Sequence, residues 1–214
     1  MKWAKHIKSF LVAITVGLTT CLAQTFHEDI ALLEKINSQE SNFGDHTFSL
    51  LSSSATPVGI GTPLICLSAG IYKKDKRLTK QSILMGVQLA SAMTISTILK
   101  YSIDRTRPYN SYPTIHNKAE DFTPSFPSGH ATSAFATATS LSLAWPKWYV
   151  IAPSYLWAAS VGYSRLYLGV HYPTDVFAGA VIGAGTSWLT WKANTWLRTS
   201  LNKKKMKLQK HNLE

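Results

Sequence analysis

Long charge-free stretches alternate with short polar clusters along this 214-residue chain. The first apolar run, Ser9 to Thr25, follows Lys2, Lys5 and Lys8 and contains Cys21-Leu22-Ala23, with small residues where a signal peptidase reads. That pattern predicts a signal peptide over residues 1–23, with Gln24 as the new N-terminus. An uncleaved anchor would share these features, and a lipoprotein signal ending at Cys21 is disfavoured by Thr20 before it. Next, Glu28 to Ile36 sets Ile30, Leu32, Leu33 and Ile36 among acids, an amphipathic helix suited to a membrane surface or a bundle. Five charge-poor segments follow: Ala55–Tyr72, Gln81–Leu99, Ala131–Pro146, Trp148–Tyr163 and Pro173–Trp191. They sit at the short edge of a bilayer span and are rich in Ser, Thr, Ala and Gly, which allow close helix packing in lipid. The predicted fold is all-α: a helical bundle, integral to the membrane, with about five transmembrane helices after the signal peptide. A buried soluble bundle is the other reading that small residues allow. One domain over residues 24–195 and a basic cytoplasmic tail over 196–214 complete the expected organisation.

Charge placement favours the membrane. Charged residues are only 15% of the chain, against 45% hydrophobic, which excludes disorder. Cys21 and Cys66 form no CxxC or zinc-spaced cluster. Threading the five segments with the mature N-terminus outside puts thirteen bases, from Lys73 to Lys210, on the inner side with only Asp75 and Glu214. The outer side keeps Lys35, Lys100, Arg105, Arg107, Lys118 and Arg165 beside the nine remaining acids. This is the asymmetry of the positive-inside rule. It also accounts for the net charge of +11 without nucleic acid: the run Lys203-Lys204-Lys205-Met206-Lys207 faces anionic lipid. No nucleic-acid motif competes, and no obligate protein partner is evident.

Three polar clusters fall on the outer ends of the threaded spans: Lys100 to Pro108, Pro127-Ser128-Gly129-His130, and Ser164-Arg165 through His171 to Asp175. Each alone has an ordinary explanation, such as an interfacial charge, a helix start or an i,i+4 contact. Together they describe an oxyanion site. Arginine offers a planar fork of donors that matches phosphate, and lysine adds a point charge. A Ser-Gly turn opening a helix adds backbone N–H groups and the positive end of a dipole. Two histidines permit one nucleophile and one acid. Asp175 would lie one turn from His171 if that segment were helical. With no carboxylate cluster fit for two metals, metal-free phosphoryl transfer without a cofactor is expected.

These clusters resemble the three-part signature of the type 2 phosphatidic acid phosphatase superfamily, which also holds class A acid phosphatases and vanadium haloperoxidases. Lys-x6-Arg-Pro corresponds to Lys100, Arg107 and Pro108; Pro-Ser-Gly-His to residues 127–130; Ser-Arg-x5-His-x3-Asp to Ser164, Arg165, His171 and Asp175. The resemblance covers residues 28–195 and implies a division of labour. His171 would attack phosphorus, Asp175 would orient it, and His130 would protonate the leaving oxygen and then activate water. Lys100, Arg107, Arg165, Ser128 and the Gly129 N–H would hold the phosphate oxygens. Arg105 matches no motif position and is expected at the rim, in contact with lipid or phosphate. Trp145, Trp148, Tyr163 and Tyr167 are expected as interface anchors.

The resulting expectation is a phosphatase of the bacterial inner membrane, its active site facing the periplasm. Its substrate would be a phosphorylated lipid: lipid A, undecaprenyl diphosphate, or phosphatidate or phosphatidylglycerol phosphate. A soluble periplasmic acid phosphatase is the alternative. A haloperoxidase would require bound vanadate, and a catalytically dead membrane scaffold would leave the intact His171, His130 and Asp175 without purpose.

Overall fold

The structure, a computed structural model, describes residues 29–39 and 41–211, all of whose regular elements are helical. The expected signal peptide lies outside the described residues. Helix α1 covers residues 29–37 and buries Leu33 and Asn37. Helices α2 (Asn42–Ser53) and α3 (Ala55–Tyr72) run almost end to end, and α2 starts where the Ser41 side chain accepts from the Gly44 N–H. Polar residues at Asn42, Asp45 and His46 had hidden α2 from a hydrophobicity-based reading.

After α3 the chain reverses at Lys74, whose φ of 54° is left-handed, and Asp75 caps α4 (Lys76–Ile103) by accepting from the Arg77 and Leu78 N–H groups. Asp104, at φ 49°, ends α4, and the single turn α5 (Pro108–Ser111) follows. A long irregular segment then leads to α6 (Gly129–Ala144), α7 (Trp148–Tyr167) and α8 (Pro173–His211). Helix α8 runs unbroken past Trp191, so the expected tail from residue 196 continues a helix.

Helix α6 is the axis of the bundle and packs on α3, α4, α7 and α8. Eleven of its sixteen residues are Ala, Ser or Thr, and most of these are buried. Small residues let backbones meet: a Cβ at Gly183 would lie 2.3 Å from the Thr132 carbonyl oxygen, and one at Gly179 2.6 Å from that of Ser128. Two of the hydroxyls buried here donate to carbonyls one turn back, Thr132 to Ser128 and Thr137 to Ser133.

Large apolar side chains lie instead on the outside. Ile65, Ile98, Leu156, Phe177, Trp188 and Leu189 are all exposed. A core of alanine and hydroxyls inside a coat of isoleucine, leucine and tryptophan inverts the usual arrangement in water. Two stretches, Asn42–Tyr72 and Lys76–Ser111, are long and apolar enough to cross a membrane, with mean hydropathy 1.4 and 1.6. Of the expected anchors, Trp148 is 79% exposed but Tyr167 only 1%. Tyr167 is therefore no interface anchor: its ring stacks on Phe48 and its hydroxyl donates to Asp45.

Candidate active site

All three polar clusters meet at one end of the bundle, where α4 and α7 finish and α6 and α8 begin. Positive φ at Gly169 (72°) turns the chain out of α7, and a Cβ there would strike the His116 carbonyl oxygen at 2.4 Å. The turn sends His171 back into the protein, where it is 1% exposed. Buried Asn37 pins this turn, donating to the Tyr167 and His116 carbonyl oxygens and accepting from the His116 N–H.

His171 precedes α8 rather than lying on it, so a helical turn does not set its distance to Asp175. Its Nδ1 stands 3.6 Å from Asp175 Oδ2, longer than a formed hydrogen bond, and 3.5 Å from Ser125 Oγ. Because Nδ1 faces the carboxylate, Nε2 is the nitrogen left for chemistry. Burial holds the His171 imidazole well below its ordinary range even against the pull of Asp175, so it is neutral at pH 7.

Asp175 is wholly buried and fully engaged. Oδ2 accepts from Ser125 Oγ and from the Tyr172 N–H at 3.0 Å, while Oδ1 takes Arg105 Nη1 at 2.6 Å. Arg105 corrects the expectation from sequence. Rather than reaching a rim, its guanidinium lies 3.7 Å over the Tyr172 ring and 3.5 Å from Asp29 on α1. Asp29 in turn accepts from the Thr174 N–H and hydroxyl at the start of α8.

The cationic residues form a second group. Arg107, 3% exposed, donates to the carbonyl oxygens of Thr123 and Val170. Lys100 Nζ donates to the Pro124 carbonyl oxygen at 2.5 Å. Between Arg107 and Arg165 sits a carboxylate that no motif suggested, Asp121: Oδ1 is 2.6 Å from Arg107 Nη2 and Oδ2 2.9 Å from Arg165 Nη2. Burial alone would raise the Asp121 carboxyl, but the Arg107 and Arg165 guanidiniums outweigh it and hold it below the ordinary range. Arg165 also keeps a spare donor, since Nε is buried without a hydrogen-bond partner.

Ser128 caps α6, its side chain accepting from the Ala131 N–H, and its own N–H donates to the Asp175 carbonyl oxygen. At Gly129 packing does not demand glycine, for a Cβ would meet only Met93 Cε at 3.9 Å. The open space there leaves room for a ligand beside the backbone N–H. His130 follows in the first turn of α6, within electrostatic reach of Arg165, Asp121, Arg107 and Lys100. A 600 Å³ cavity is lined by Arg107, Asp121 and their neighbours but by neither histidine. The motif residues thus meet at one end of the bundle, while Asp121, Ser125 and Asp29 had no place in the sequence reading and Arg105 had a different one.

Known proteins share this arrangement of sequence. Residues 81–199, more than half of the chain, match the PAP2 superfamily. The chain belongs to that superfamily. It is 37% identical over 118 residues to an undecaprenyl-diphosphatase of Sulfolobus acidocaldarius, covering 54% of this chain and 56% of that protein. A lipid A 4'-phosphatase of Bacteroides thetaiotaomicron is 45% identical over 64 residues, 30% of this chain and 28% of that one. The aligned part thus spans about half the first relative and under a third of the second. Among solved structures, Aquifex aeolicus LpxE superposes with a TM-score of 0.65 at 28% identity, covering 76% of this chain and 94% of that one. LpxE thus shares the helical architecture of this chain.

Proposed function

We propose that this PAP2 protein is a metal-independent lipid phosphatase of the bacterial inner membrane, working at the periplasmic face through a phosphohistidine. The observation that carries the reading is the buried Arg107–Arg165 pair bridged by a carboxylate, with the Arg165 Nε donor still unused, close to a neutral His171 backed by Asp175. Two guanidiniums spanned by two oxygens present the geometry of a phosphate receptor.

In the reaction the substrate phosphoryl group displaces Asp121 and takes its place between Arg107 and Arg165. Lys100 and the Gly129 N–H approach the remaining oxygens. His171 Nε2 attacks phosphorus, the N–P bond forms and the bond to the leaving oxygen breaks. His130 delivers a proton to that oxygen, so the alcohol or lipid phosphate departs neutralised. Water then gives its proton to His130 and attacks phosphorus; the N–P bond breaks, releasing phosphate and restoring His171. Asp175 fixes the tautomer of His171 and offsets its charge while it carries phosphate. The long Asp175–His171 contact tightens when the ring becomes cationic.

Five spans with the site outside are supported by the inverted core, with alanine within and leucine without, and by the basic residues on the end opposite the site. The names borne by the relatives favour a polyprenyl diphosphate or the phosphate of lipid A as substrate. The deciding experiment is mass analysis of membrane lipids from cells with and without the protein. Accumulation of one phosphorylated lipid on deletion, reversed by the wild-type chain and not by His171→Ala, is expected. An unchanged lipid profile together with cleavage of soluble phosphate esters by detergent-free extracts would instead support an acid phosphatase in solution.

A further inference from the structure

Far from the catalytic end, α4, α6 and α8 enclose a second polar cavity of 290 Å³. Twenty residues of α4 separate Lys80 in its wall from Lys100 in the active site, roughly 30 Å along the helix. Lys80 and Arg198, both exposed residues, line it, and Asn194 and Asn202 line the α8 side. Ser140 forms part of its wall; the residue is 3% exposed, yet its Oγ has no hydrogen-bond partner. No carboxylate is among the lining residues. A buried hydroxyl left unmatched is unfavourable, and a bound acceptor would relieve it.

A second hollow adjoins the first and shares Lys80, Leu84, Asn194 and Arg198 with it. Ile83, Val87 and Leu197, each about half exposed, make its surface apolar and turn it toward the outside of the bundle. Cations, amides and a spare hydroxyl within, beside an apolar groove outside, match an acidic headgroup with its acyl chain. Basic pockets between helices at the cytoplasmic end of a span are known to hold such lipids.

We infer that this is a non-catalytic site for an anionic glycerophospholipid of the inner leaflet, its phosphate between Lys80 and Arg198 and an acyl chain along Ile83 and Val87. The inference rests on the membrane-spanning reading above. It goes beyond the catalytic site, which lies at the other end of the same helices.

The test uses the full chain in detergent micelles, with vanadate present to fill the catalytic site. Binding is followed by native mass spectrometry and by thermal unfolding, with dioleoylphosphatidylglycerol, dioleoylphosphatidylcholine and glycerol 1-phosphate as probes. Phosphatidylglycerol should bind and raise the unfolding temperature, and the other two should not. The Lys80→Gln/Arg198→Gln double variant should lose about thirty-fold in affinity for it, from two cations near the headgroup. That variant should still hydrolyse p-nitrophenyl phosphate at the wild-type rate, proving it folded. Equal binding of phosphatidylcholine, equal protection by glycerol 1-phosphate, or unchanged affinity in the folded double variant would each overturn the assignment. Failure of the spanning reading is separately visible: the chain would then stay in solution after alkaline extraction without detergent.

Discussion

Asp121→Asn tests whether this carboxylate stands where substrate phosphate must go. Its oxygens lie 2.6 and 2.9 Å from Arg107 and Arg165, whose side chains are 3% and 4% exposed against 17% for Asp121 itself. Hydrogen bonds to charged groups contribute about 1.5–3 kcal/mol each, and neutral ones about 0.5–1.5. An amide of the same shape keeps one acceptor and turns an NH2 donor toward the other guanidinium, so one bond is weakened and one is lost, a difference of at least about 1–2 kcal/mol. A ligand that must displace a resident group binds in proportion to the open fraction, so this difference appears directly in its affinity. Vanadate should consequently inhibit the Asn variant at about 5- to 30-fold lower concentration, read from Ki against p-nitrophenyl phosphate. The same change strips the counter-charge from two buried guanidiniums, so the variant should unfold at lower temperature without anion and recover with vanadate. A folded variant with an unchanged or raised vanadate Ki would refute the displacement argument. It would make Asp121 a fixed support of the arginines.

Other outcomes follow from the same geometry. His171→Ala should abolish both turnover and trapped phosphoenzyme. His130→Ala should accumulate acid-labile phosphate from an activated aryl ester yet fall about 10²–10⁴-fold on an alkyl lipid phosphate, where leaving-group protonation matters; labelled phosphate trapped by the first and not the second would reverse the roles. Arg105→Gln leaves Asp175 without its 2.6 Å cation and should lower kcat while vanadate Ki stays put, with Arg105→Lys restoring part of the rate; a parallel loss of vanadate binding would show that Arg105 contacts phosphate. Because burial lowers the His171 pKa, the unfolded chain binds the extra proton first, so stability should decline as pH falls below about 6.5, and thermal unfolding of His171→Gln should show a shallower decline there. A reporter fused after Glu214 should be cytoplasmic and one at Asn117 periplasmic; both on one side would overturn the five-span threading.

The helices and the motif residues were legible because each follows a local rule. The segment Ala55–Tyr72 is helix α3 to the residue, and the three clusters had fixed spacings within themselves. What stayed hidden depends on contacts remote in sequence. Asp121 lies in the irregular segment before Pro127, with nothing around it to mark it as the partner of an arginine 44 residues onward. Arg105 shares a motif with Lys100 and Arg107, yet it projects toward Asp175, 70 residues away, and no spacing encodes that direction. His171 and Asp175 had the right separation for a helix, but Gly169 and Pro173 put the histidine outside it. Tyr167 has the composition of an interface aromatic; Phe48 and Asp45, on a helix that hydropathy missed, draw it inside.

The charges of the site divide into two sets, and the division determines where a phosphate can bind. Arg105 faces two carboxylates, Asp29 and Asp175, so that set has no cation to spare. Its effect is to keep Asp175 ionised and still behind His171. Lys100, Arg107 and Arg165 gather around Asp121, which cannot balance all three, next to a buried imidazole that is itself neutral. Burying charge without compensation is unfavourable, so this set needs an anion in every state of the cycle. At rest the anion is Asp121, supplied by the chain. In the proposed turnover it is the substrate, and a phosphomonoester dianion balances the three cations more fully than one carboxylate does. A diester carries one negative charge, and its second ester group cannot accept from the spare Arg165 Nε as a charged oxygen would. Exchange of Asp121 for a ligand is therefore favourable for terminal phosphates and diphosphates and unfavourable for the diesters that make up the surrounding bilayer. The lipid phosphatase proposed above, set among phosphodiesters, would need that discrimination before any chemistry begins.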